Sequence, residues 1–247
     1  MPGTEFSSLQ CDDLSPATKY CRLCYDSDTK TLVTKALPSP EHEIVTASLQ
    51  ILIAFQLHSM ELDDEVDCLN STMIGIGNWK KEVDCCWAPA AQNTKLSFVL
   101  EVGLWESSRR LTMDAQGWLE TRGTSVNLVV TIEIDRVYPI VNIHQWELGK
   151  PICSASTRAA FNSTRFFPGR RARRTATIML SLANGVISAA GESYPESEPS
   201  SSITQLELPF EKVVARLTNS PLERNIIISE QDLRKLAGKI WRKQGRI

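Results

Sequence analysis

Two acidic residues stand where a divalent cation could be held: Asp84 in the stretch Val83–Ala88 and Glu101 in Leu96–Val102. Both stretches read as short apolar strands, close enough in sequence to pair as one antiparallel hairpin. Side chains alternate along a strand, so Glu82 shares a face with Asp84, and Gly103 with Glu101. Carboxylates converging from neighbouring strands supply the oxygen ligands that magnesium prefers, leaving positions for water and a phosphate oxygen. An ion held there can activate an attacking water and offset charge building on a phosphate. The plain alternative is a pair of acids exposed at a sheet edge that do no chemistry.

These residues need a frame. Tyr20–Tyr25 and Thr31–Ala36 read as strands, after which Pro38-Ser-Pro40 stops the chain and launches a helix from Glu41. Its apolar residues, Ile44 through Leu57, lie around much of the circumference, which predicts packing on more than one side. The acidic run Glu61–Asp67 reads as a solvated loop. Strands follow at Thr72–Gly77, Val83–Ala88 and Leu96–Val102, then a helix capped by Ser107 or Ser108 and running through Leu111, Ala115, Trp118 and Leu119. Asn127–Ile134 and Ile140–Trp146 are strand partners on either side of Pro139. This order predicts an α/β fold with a central mixed sheet flanked by helices.

The chain reads as a single domain over 1–247, with its core at 20–150. Residues 151–204 read as basic and Ser/Glu/Pro-rich insertion loops, broken by a strand at Ala176–Ala183. Residues 205–247 form a C-terminal strand and helix extension. There Ser229-Glu-Gln-Asp232 resembles a capping box, and Leu233, Leu236, Ile240 and Trp241 give the helix its apolar face.

Hydrophobic residues at 42% and charged residues at 23% exclude disorder throughout. A formal net charge of -2 excludes the uniformly basic surface of a non-specific nucleic-acid binder. Contact with phosphates therefore needs a local patch, and Arg170–Arg174 is the candidate; it reads equally as a nuclear import signal or a solvated loop. Cys21 and Cys24 form a CxxC without a second pair at zinc spacing, and Cys85 and Cys86 are adjacent on a strand, hence on opposite faces. His42 and His144 read as surface or supporting residues rather than metal ligands. No secretory signal pattern and no bilayer-length apolar run is seen, so the expectation is an intracellular protein, cytoplasmic or nuclear, with no membrane partner. Nucleic acid, a second copy of the chain or another protein remain as partners.

Several motifs, taken in order, resemble the PD-(D/E)XK or restriction-endonuclease-like superfamily, and within it the Uma-type branch with its fungal relatives. Pro38-Ser-Pro-Glu-His-Glu43 is similar to the family's opening-helix motif, Lys81-Glu-Val-Asp84 to its Lys-Glu-Pro-Asp, and Phe98–Gly103 to its central acidic strand. Glu106-Ser107 through Trp118-Leu119 resembles the following helix, and Leu208-Pro-Phe210 through Leu233 to Trp241 the family's ending. The resemblance covers most of the chain. It implies a restriction-endonuclease-like core in which Asp84 and Glu101 ligate magnesium or manganese, with Glu43 approaching the metal or ordering its water. It also implies a lysine two positions after the second acid, where this chain has Gly103. A replacement cation would come from Arg110 or Lys81, although the odd spacing from Lys81 to Asp84 turns Lys81 away in a regular strand.

Three functions follow from this reading. One is a magnesium-dependent phosphodiester hydrolase with a degenerate site. Another is a catalytically inactive accessory or binding protein on a nuclease-like fold, and the third is a DNA-binding module using the basic loop. A cation beside Glu101 favours the first; a closed space there favours the second.

Overall fold

The structure, a computed structural model, describes residues 22–26, 29–35, 39–77, 79–91, 95–104, 108–150, 170–196 and 199–247. Cys21, Glu106, Ser107 and the Arg165–Gly169 part of the basic stretch lie outside them. The first strands are β1 (Arg22–Asp26) and β2 (Thr31–Lys35), followed by helix α1 (Pro40–Ser59). Then come β3 (Val66–Asn70), β4 (Met73–Ile76), β5 (Trp79–Glu82), β6 (Cys85–Pro89) and β7 (Phe98–Gly103). Helix α2 (Ser108–Glu120) leads into β8 (Leu128–Ile134), β9 (Ile140–Leu148), β10 (Ala172–Ala183), β11 (Val186–Ser193) and β12 (Ser201–Ile203). The chain closes with β13 (Leu206–Leu208), the single turn α3 (Phe210–Val213), β14 (Ile226–Ile228) and α4 (Glu230–Lys243).

Eight strands make a mixed sheet in the order β12-β11-β10-β9-β8-β7-β6-β3, four make a second sheet in the order β2-β1-β5-β4, and β13 pairs with β14. The parallel step is β7 to β8, the two strands joined through α2. A parallel neighbour requires a crossover of this kind. One face of the large sheet buries Leu100, Val102, Val130, Ile132, Ile143 and Ile178 against α1 and α4. The other buries Cys86, Val99 and Val129 against Ala115, Trp118 and Leu119 of α2. The expected mixed α/β sandwich is therefore present.

Local chemistry explains the helix ends. Ser39 Oγ accepts the His42 amide at 3.3 Å with Pro40 at the first helical position, and Ser229 Oγ accepts the Asp232 amide at 3.2 Å. Helix α1 buries a single stripe, Val45, Leu49, Ile53 and Leu57, while Ile51 and Phe55 are exposed. The many-sided packing expected from its composition does not occur, because the sheet and α4 meet it on one side. Leu233, Leu236, Ile240 and Trp241 of α4 are all buried as their spacing predicts.

Two further expectations change. Val83–Ala88 is not one strand. The chain leaves the four-stranded sheet at Glu82 and enters the eight-stranded sheet at Cys85, bending through Val83 and Asp84. Residues 172–193, read as loop around one short strand, are instead a long hairpin continuing the large sheet. Asn184 and Gly185 turn that hairpin, both at positive φ (51° and 75°), as a tight two-residue turn demands. Inside it Gly191 pairs with Ile178 at a spot where an added Cβ would strike the Thr177 carbonyl oxygen. The acidic run keeps Glu61, Asp63, Asp64 and Glu65 exposed in a turn, as expected, with Asp63 2.9 Å from His58 and Glu65 2.8 Å from Arg216, until β3 begins at Val66.

Candidate functional site

Glu101 lies on β7, an interior strand of the large sheet, on the face covered by α2. Strands β6 and β7 form an antiparallel hairpin whose pairing ends at Cys85 opposite Leu100, and Asp84 lies just before it, in the bend between the two sheets. The partners of the two acids differ.

Glu101 is fully buried, and its Oε1 accepts the Trp118 indole N–H at 2.6 Å and lies 2.8 Å from Lys81 Nζ. Lys81 Nζ also lies 2.7 Å from Asp114 Oδ2, one turn of α2 before Trp118. Strand β5 delivers this lysine by alternation: Trp79 and Lys81 face inward while Lys80 is exposed. The Trp79 ring meets Trp118 edge-on at 4.6 Å, and Gly117 lets it close on the helix: an added Cβ there would sit 2.7 Å from the Trp79 ring. The expectation that Lys81 turns away fails because the bend at Val83–Asp84 resets the alternation. Arg110 goes to Asp114, Nε to Oδ1 at 3.5 Å, and its side chain is 23% exposed. Two cations and two carboxylates thus balance in one cluster.

Asp84 belongs to another group. Its Oδ2 accepts the Val102 amide at 2.6 Å and lies 3.2 Å from His42 Nε2. The capped first turn of α1 aims His42 at Asp84; Glu43, the expected site residue, is 59% exposed, with Oε1 at 3.3 Å from His42 Nδ1. Asp84 itself is 2% exposed.

These donor sets do not fit a magnesium or manganese ion. Among the described residues no group of three or more His, Cys, Asp or Glu side chains is placed to hold a metal. Glu101 Oε1 already faces an ammonium, which repels a second cation, and both acids are sealed from the water such ions retain.

Along the sheet Glu101 is in register with Thr131, Thr131 with His144, and His144 with Thr177. Trp146 Nε1 donates to Thr131 Oγ1 at 3.0 Å, and His144 Nδ1 lies 3.1 Å from Thr177 Oγ1. Burial, assisted by Arg174, pushes the His144 pKa down to about 4. Its folded value lies below the unfolded one, so its contribution to stability is complete above pH 6.5 and is lost as pH falls toward 4. Urea midpoints for wild type and His144→Gln at pH 7.5, 5.5 and 4 should converge as pH falls; a constant gap overturns this reading.

The basic candidates are engaged within the fold. Arg170 Nε donates to the Gly149 carbonyl at 3.0 Å, Arg171 reaches Glu120 at 2.8 Å, and Arg173 donates to the Tyr194 carbonyl at 2.7 Å. The Arg174 guanidinium stacks over Trp146 at 4.8 Å. This part of the stretch opens β10 rather than a loop.

His42 takes the supporting place read for it, and Ser39-Pro40, by fixing the helix start, sets which residue of the first turn faces the sheet. The contacts of Asp114 with Lys81 and of Trp118 with Glu101 were not expected. Asp114 is marked only by its four-residue spacing from Arg110.

No family model and no curated protein matches the chain. Among solved structures, one similar chain comes from Anabaena variabilis and is described as a candidate nuclease belonging to DUF820. It is 10% identical, with a TM-score of 0.48, and the alignment covers 95% of this chain and 97% of that one. No described helix is long and apolar enough to cross a membrane.

Proposed function

We propose that this chain is a catalytically inactive accessory or binding protein built on a nuclease-like scaffold. The observation supporting this reading is the closure of the acid pair: Glu101 and Asp84 are 0% and 2% exposed, each bound to an internal partner. Hydrolysis needs a carboxylate that can exchange water and reach a phosphate. Here Lys81 and His42 take those oxygens, and the acids tie β5, α2 and the start of α1 to the sheet centre.

A rival reading, a magnesium- or manganese-dependent phosphodiester hydrolase, has one observation in its favour. Lys81 Nζ, 2.8 Å from Glu101, supplies the cation missing at Gly103. One assay separates the two: single- and double-stranded DNA and RNA incubated with wild type, Asp84→Ala and Glu101→Ala, in either metal. The expected result is no cleavage above that of the variants. Metal-dependent cleavage by wild type, lost in both variants, would establish the hydrolase.

A further inference from the structure

At the far edge of the large sheet, β3 and β6 bring two cysteines together. Cys68 Sγ and Cys85 Sγ are 3.5 Å apart. Both face the side covered by α1, Cys85 fully buried and Cys68 half-buried against the same core. Cys68 pairs with Trp87 and Cys85 with Asn70, so the two thiols form a diagonal cross-strand pair. Cys86, next in the chain, faces the opposite core and takes no part.

From this geometry we infer that Cys68 and Cys85 form an oxidation site for peroxide, Cys68 being attacked first and Cys85 resolving it into a disulfide. Strand β3 ends the eight-stranded sheet and leaves Cys68 half-buried, whereas Cys85 is fully buried. The contact with Cys85 lowers the Cys68 thiol from its ordinary range, against the effect of burial and with help from Gln50, while the Cys85 thiol is raised. The thiolate is the nucleophile, so the half-buried partner reacts first.

The chemistry balances in two steps. The Cys68 thiolate attacks one oxygen of hydrogen peroxide; an S–O bond forms, the O–O bond breaks, and hydroxide leaves. The Cys85 sulfur then displaces hydroxide from the Cys68 sulfenic acid as its own proton is lost, giving the S–S bond and water. Two thiols are oxidised and one peroxide is reduced to two waters. The diagonal offset requires the strands to shift slightly, since bridged Cα atoms lie within about 7 Å. That shift falls one residue from Asp84.

The test is a peptide map of the folded full chain after graded hydrogen peroxide, with remaining thiols alkylated under denaturing conditions. Lys80 and Lys81 separate the two cysteines on trypsin digestion, so a bridge links two peptides and is lighter by two hydrogens than their sum. The linked pair should appear in wild type and in Cys86→Ser, which shows that the Cys86 in the same peptide is not the partner. It should be lost in Cys85→Ala, where Cys68 becomes a sulfenic acid trapped by dimedone. Wild type alone can overturn the inference, whatever the variants' folding. Cys68 advancing to sulfinic or sulfonic acid without a linked peptide, or bridging to another cysteine, would do so.

Discussion

Lys81→Met should lower stability by about 3–5 kcal/mol, the usual loss when one member of a buried ion pair is removed. For a chain of this size that is a fall in Tm of roughly 6–20 °C. The cause is specific. Lys81 Nζ lies between Glu101 Oε1 and Asp114 Oδ2, all three side chains nearly sealed from water. Without the ammonium the two buried carboxylates lose the cation that lies between them, while Arg110 stays 3.5 Å from Asp114. Like charges so placed repel across a space with little water to screen them. Lys81→Met/Glu101→Gln removes the excess charge, so its loss should be clearly less than the sum of the single losses. Urea denaturation of the four proteins measures both the single loss and the non-additivity. Equal stability of wild type and Lys81→Met would remove the structural role assigned to the cluster.

The same lysine shows what could and could not be read in the sequence. Elements with strong local signals were legible: Ser39-Pro40 at the start of α1, the apolar runs of β7 and β8, the Ser229 cap and apolar face of α4. The hairpin of β6 and β7 was legible because hairpin pairing is nearly local. Lys81 was misplaced because strand parity holds only while a strand continues. Whether the chain bends at Val83 depends on which sheet captures β5, and that is a tertiary outcome. The β10–β11 hairpin was obscured by the polar residues of its outer face, although Asn184-Gly185 carried a direct turn signal. His42 rather than Glu43 meets Asp84 for a related reason. An acid in the first turn of a helix draws attention as a ligand, but cap geometry decides which neighbour points at the sheet.

Asp84 gives the second large effect, and its sign tells the two functional readings apart. Asp84→Ala deprives the Val102 amide and the His42 ring of a buried acceptor, at about 1–3 kcal/mol for each group left unsatisfied. The expected total is on the order of 2–4 kcal/mol, since His42 can turn partly toward Glu43 and solvent. Asp84→Asn keeps an acceptor oxygen of the same shape and should lose less than half as much. A hydrolase predicts the opposite pattern. Active-site acids are commonly held at a cost to stability, so removing one leaves the fold as stable or more so while activity disappears. Denaturation midpoints of wild type, Asp84→Ala and Asp84→Asn, each with and without millimolar magnesium, decide between them. A structural acid gives a large loss for alanine, a smaller one for asparagine, and no change with the metal. A ligand gives little loss in either variant and a magnesium-dependent rise confined to wild type, because an ion that binds only the folded state stabilises it by mass action. The internal hydrogen bonds of Asp84 favour the first pattern: an oxygen that already holds a backbone amide at 2.6 Å and an imidazole at 3.2 Å has been committed to the fold.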